Sequence, residues 1–168
     1  MRLIYISFIS STILFCVFLG YLICTPEQEV TLRYYTKNIH PNIINKATKI
    51  WIDSNILFVQ TSDEKQADIV IEAVDKEYMF YEISMGEQRA KTILINNSYT
   101  LSNNELTWLI AHEIGHFLGL DHSVQNNSIM NEKISLESRK VLAEDTHNII
   151  KMRASILCRI YFYRLFSF

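Results

Sequence analysis

The chain has 168 residues, 49% of them hydrophobic, with 16 basic against 18 acidic side chains and a formal charge of −2. That length suits one domain beside any targeting segment, and the near-neutral charge excludes a polyanion-binding surface and with it nucleic acid as a principal partner. Two Pro, four Gly and three Cys exclude collagen-like, linker-rich and disulfide-dense chains.

The first element is apolar. No charge occurs from Leu3 to Pro26, and Leu3–Cys24 is almost wholly aliphatic or aromatic, long enough for a membrane-spanning helix. Arg2 lies before it and Glu27 and Glu29 just after it, so the positive-inside rule places the rest of the chain outside the cytoplasm. The run exceeds a usual signal core and lacks an A-x-A-like cleavage site. Residues 1–26 are therefore expected to be an uncleaved anchor, with a cleaved signal peptide and a secreted product as the alternative. Residues 27–154 form the body. The tail 155–168 (SILCRIYFYRLFSF) is aromatic and basic, too short to span, and suits either a membrane surface or packing on the body.

Within the body, Thr31–Tyr35 reads as a strand. A helix opens at His40-Pro41, with Ile43, Ile44, Ala47, Ile50 and Trp51 at helical spacing. Ile56–Gln60 and Asp68–Ala73 are β-branched runs between polar clusters. Tyr78–Ser84 and Thr92–Asn96 read as two further strands joined by a turn around Gly86. Ser102-Asn103-Asn104-Glu105 is a capping box. It starts a helix whose stripe is Leu106, Leu109, Ile110, Ile114 and Phe117, ended by Gly119. A last helix is expected over Glu137–Met152, with Val141, Leu142, Ile149 and Met152 facing inward. This order predicts an α+β, mixed α/β fold: a mixed sheet with a covering helix, a second helix and a C-terminal helix.

The chemistry lies in Ala111–His122, AHEIGHFLGLDH. His112 and His116 are one helical turn apart and project from one face. Glu113 points partly aside, suited to a metal-bound water. Gly119 lets the chain return with His122 as a third ligand. Three imidazoles leave a fourth position for water, the arrangement of a catalytic zinc site, although cobalt or nickel suits the same donors. At this composition chance yields these five positions in roughly one chain in a hundred thousand. His40, His147, Trp51, Trp108 and Asp121 read as surface or core residues.

The string H-E-x-x-H-x-x-G-x-x-H resembles the signature of the metzincin zinc endopeptidases. Leu118-Gly119-Leu120-Asp121-His122-Ser123 and Ala67–Ile71 resemble the matrixins among them. The resemblance, over about Thr31–Met152, implies a zincin-like twisted sheet and a Met-turn at Ser128-Ile129-Met130, with Met130 as an apolar floor beneath the metal. It implies Asp145 as an acid that buttresses that turn. It further implies an extended protein or peptide substrate along a sheet edge, for which Tyr78, Phe80 and Glu82 are the candidates. The activity implied is zinc-dependent endopeptidase, with Glu113 as general base to the water. A non-catalytic zinc-binding module is the alternative. One catalytic Zn²⁺ is expected. The structural zinc and calcium of the animal enzymes are not carried over, because their His/Asp-rich loops are missing, and a cysteine-switch prodomain is not expected. The cysteines that would follow the third His in an archaemetzincin are also absent.

Overall fold

The computed structural model describes residues 29–75, 86–89, 91–132, 141–143 and 145–150. Five strands form one sheet: β1 (Val30–Lys37), β2 (Ile56–Gln60), β3 (Ile69–Val74), β4 (Gly86–Arg89) and β5 (Thr92–Asn96). Their spatial order is β2-β1-β3-β5-β4. The first three neighbouring pairs are parallel and β4 runs antiparallel to β5, which establishes the mixed sheet expected from the sequence.

Two helices, α1 (Pro41–Lys49) and α2 (Asn103–Phe117), complete the described frame. Strand alternation sends Val30, Leu32, Tyr34, Ile69, Ile71, Ile93 and Ile95 to one face, where they join the core. From α1 come Ile43, Ile44 and Ala47; from α2 come Leu109, Ile110, Ala111, Ile114 and Phe117. Val70 and Leu94 are buried on the opposite face. Trp51, just past α1, is fully buried and its Nε1 donates to the Ala111 carbonyl at 3.0 Å. That bond ties the covering helix to the middle of α2, next to His112. Both tryptophans therefore follow the core reading, Trp108 being packed against the same cluster.

Each helix start is chemically specified. Pro41 occupies the first turn of α1, where its missing N–H is not needed, and the exposed His40 accepts from the Asn42 amide. At α2 both halves of the capping box form: Ser102 Oγ accepts from Glu105 N, and the Glu105 carboxylate accepts from Ser102 N.

Two expectations are corrected. Gly86 does not sit in a turn; it opens β4, opposite Ile95. The register pairs Arg89 with Thr92, so only two residues separate the strands, the shortest usual hairpin connection. The C-terminal helix does not run through from residue 137, because 141 and 142 are non-helical and the helical residues lie at 143 and 145–150. The Asp145 carboxylate accepts from Leu142 N at 2.8 Å and Thr146 N donates to Leu142 O at 3.1 Å. Leu142 is thus the N-cap, with an acid at the third helical position satisfying its amide. Val141 packs on the core and Ile149 is fully buried within it, as expected.

Candidate functional site

The site is built at the C-terminal end of α2, which packs against α1, β4 and β5. Gly119 has φ 97°, in the left-handed region that suits glycine. Leu120 N donates to Gly115 O and Gly119 N to His116 O, both at 2.9 Å. These two bonds are the Schellman closure of a helix end. The turn they make reverses the chain and brings His122 back over the helix.

His112, His116 and His122 offer ring nitrogens that all lie within 4.8 Å of one another. The Nε2 atoms of His112 and His116 are 3.1 Å apart, as are those of His116 and His122. Two of the rings are held from behind. His112 Nδ1 is 2.8 Å from the Ile129 carbonyl, and His116 Nδ1 is 2.8 Å from the Leu120 carbonyl. A carbonyl oxygen only accepts, so Nδ1 bears the hydrogen in both rings and each Nε2 presents a bare lone pair. Lone pairs converging at this spacing repel unless a cation lies between them. For two nitrogens about 2.0–2.1 Å from a tetrahedral zinc, the expected separation is roughly 3.3 Å. The donor set thus fits zinc in number, chemistry and spacing.

Burial pushes the His116 imidazole below its usual range. The hydrogen bond to Leu120 and the Asp121 charge oppose that shift, while His122 adds to it. The neutral, ligating form is the one favoured. Asp121 itself is an exposed loop acid, and His147 is likewise at the surface.

Glu113, next to the first histidine, is buried at 5% exposure. Met130 is fully buried, and a Cβ on Gly115 would overlap its Sδ and lie 3.0 Å from its Cε. The missing side chain at Gly115 lets the thioether seat directly against α2. Asp145 is buried, and its Oδ2 accepts from Ser128 Oγ at 3.3 Å, while Ser128 Oγ accepts from Met130 N at 2.9 Å. The acid therefore does reach the turn that carries Met130, besides capping its own helix.

Tyr78, Phe80 and Glu82 lie outside the described residues; the antiparallel edge strand described beside α2 is β4. Residues 1–28 and 151–168 also lie outside them. Among the described residues no helix is long and apolar enough to cross a membrane.

Sequence reasoning misses the carbonyls of Ile129 and Leu120, and Asn131. Main-chain acceptors leave no signature in residue types, and an asparagine in a polar loop has no distinguishing spacing.

Residues 93–153, about a third of the chain, match the family model described as Matrixin. No curated protein matches the chain. Among solved structures, an archaemetzincin from Methanopyrus kandleri aligns with a TM-score of 0.55 at 12% identity, covering 78% of this chain and 98% of its own. A zinc-dependent peptidase from Methanocorpusculum labreanum aligns with a TM-score of 0.49 at 11% identity, covering 71% of this chain and 99% of its own. Myroilysin aligns with a TM-score of 0.41 at 16% identity, over 56% of this chain and 50% of its own. The fold is zincin-like, similar to that of the archaemetzincin, and the three histidines form in it a cluster whose ring nitrogens could hold a metal ion.

Proposed function

We propose that the chain is a zinc-dependent endopeptidase of matrixin-like type. One observation carries the reading: three histidine Nε2 atoms converge, two of them with their Nδ1 atoms committed to carbonyls, beside a buried carboxylate on the same helix. A structural zinc site is normally closed by a fourth protein ligand. Among the described residues the cluster contains three histidines only.

When bound, zinc held by His112, His116 and His122 polarises a peptide carbonyl and acidifies water. The chain's own residues do the rest. A Glu113 carboxylate oxygen takes the proton of the attacking water and returns it to the departing amine nitrogen, so no nucleophilic Ser or Cys is required. Met130 closes the space beneath the histidines with apolar volume. Among the described residues β4 pairs only with β5, and its outer edge offers main-chain groups to an extended peptide. We further propose that residues 1–26 tether this body outside the cytoplasm, a reading supported by hydropathy and flanking charge.

The test is cleavage of an unstructured protein substrate by the zinc-loaded full chain, beside Glu113→Ala, with zinc quantified in both. Cleavage by the parent alone, with about one zinc in each, supports the peptidase and the base. Zinc in both without cleavage by either would point to the binding module, and absence of zinc from both would overturn the metal centre.

A further inference from the structure

Two of the three histidines are oriented from behind, by the carbonyls of Ile129 and Leu120. His122 is exposed, and among the described residues its ring meets only the rings of His112 and His116, with no carbonyl behind it. The Gly119 turn carries its backbone there from the N-terminal side, and on the C-terminal side the following loop holds it. Residues 124–127 are all exposed, Val124 at 96%, so that loop has no apolar packing to hold it. Hydrogen bonds hold it instead, and they converge on Asn131.

The buried Asn131 sends Nδ2 to Ser123 O at 3.1 Å and to Gln125 O at 3.2 Å, using both amide donors across the loop mouth. Its own N–H donates to Ser128 O at 3.2 Å, and Ser123 N donates to Met130 O at 2.8 Å. Ser123 and Asn131 pair as an isolated parallel bridge. Ser123 directly succeeds His122, whereas Ile129, two residues before Asn131, holds His112. One side chain therefore joins the backbone beside the third histidine to the turn that orients the first.

We propose that Asn131 is a positioning residue for the metal centre, a brace that holds His122 at its distance from His112 and His116. The proposal rests on the reading of those histidines as a zinc site. Groups that orient metal ligands typically alter metal retention 10- to 100-fold when removed.

The test is zinc release from the zinc-loaded full chain to a colorimetric chelator, in Asn131→Ala, Asn131→Ser and Ser102→Ala. Asn131→Ala is expected to release zinc at least about tenfold faster than the parent. Asn131→Ser, whose hydroxyl can serve only one carbonyl, is expected to fall between them and decides the matter if the alanine variant does not fold. Ser102→Ala loosens the far end of α2 and is expected to match the parent. With cobalt in place of zinc, the visible absorption of the Asn131 variants is expected to shift, which a general loss of stability would not cause. Unchanged release in the Asn131 variants, or an equal rise in Ser102→Ala, would overturn the brace alone. A parent chain that holds no zinc would overturn the metal centre and the brace together.

Discussion

The carbonyl of Ile129 lies 2.8 Å from Nδ1 of His112, so the residue just before Met130 decides which nitrogen of that ring faces the other histidines. The turn is thus more than a floor. It sets a tautomer, and the same loop, through Ser128, reaches the Asp145 carboxylate of the last helix. The C-terminal helix is connected to the histidine cluster by three hydrogen bonds and a short length of main chain.

Removing the central ligand should show how far the fold depends on the metal. His116 shares its Nε2 spacing with both other rings. His116→Ala is expected to leave the purified chain nearly free of zinc, measured by atomic absorption. The parent should gain thermal stability with added zinc, by about 2.7 kcal/mol at a hundredfold excess over Kd, and the variant should gain almost none. A variant that binds and is stabilised as the parent is would sink the three-histidine assignment.

Gly115 gives a packing test independent of the metal. A Cβ there would overlap Met130 Sδ and would lie 3.0 Å from both Met130 Cε and Trp51 Cζ2. Met130 and Trp51 are fully buried and have little room to yield. In an open helix the change to alanine is favourable by about 1 kcal/mol, but overpacking a core costs about 1–3 kcal/mol. Gly115→Ala is expected to lower the urea midpoint of the zinc-free chain. A raised midpoint would mean that Met130 is not seated against α2.

The legible parts of this molecule are those written in local pattern. Ile56–Gln60 and Thr92–Asn96 are strands with the bounds that their β-branched runs suggest, and Ser102 and Glu105 form both halves of the cap. The histidine motif is legible because one helical turn and one glycine bring three histidines near one another, whereas the carbonyls that orient two of the rings leave no mark in residue type. Gly86 misleads because a glycine between apolar runs reads as a turn, while hairpin register depends on the partner strand β5. The start of the last helix misleads because Val141 and Leu142 continue an apolar spacing, whereas the cap depends on Asp145 reaching back to an amide. Asp145 reads from the resemblance as support for the Met130 turn; it is a buried acid that reaches that turn and also caps its own helix.

The α2 cap predicts a pH response at the N-terminal end of that helix. Hydrogen bonds from Ser102 hold the Glu105 carboxyl below its ordinary value of 4.5. A carboxylate depressed by folding stabilises the fold above its unfolded pKa, and that contribution is lost as pH falls through the lower folded value. In amide hydrogen exchange, the first turn of α2 is expected to lose protection as pH is lowered through this window, after correction for intrinsic exchange. Glu105→Gln should flatten that dependence while leaving protection around His112 as in the parent. An unchanged profile in the variant would assign the acid response to another carboxylate.

The link from Asp145 to the Met130 turn predicts coupling between two residues seventeen apart in sequence. Asp145→Ala removes the acceptor for both Leu142 N and Ser128 Oγ, and loss of a cap alone costs about 0.5–2 kcal/mol. Ser128→Ala removes the group that receives Met130 N and leaves that buried amide without its side-chain partner, at about 1–3 kcal/mol. If the two side chains act through one hydrogen bond, the double variant loses less than the sum of the single ones. The expected coupling, read from urea unfolding of the zinc-free chain, is about 0.5–1.5 kcal/mol for a bond of this kind. Zinc release should be faster in all three variants, because the turn they loosen also holds Ile129 O against His112. Strict additivity would mean that Asp145 serves only as the cap of its own helix.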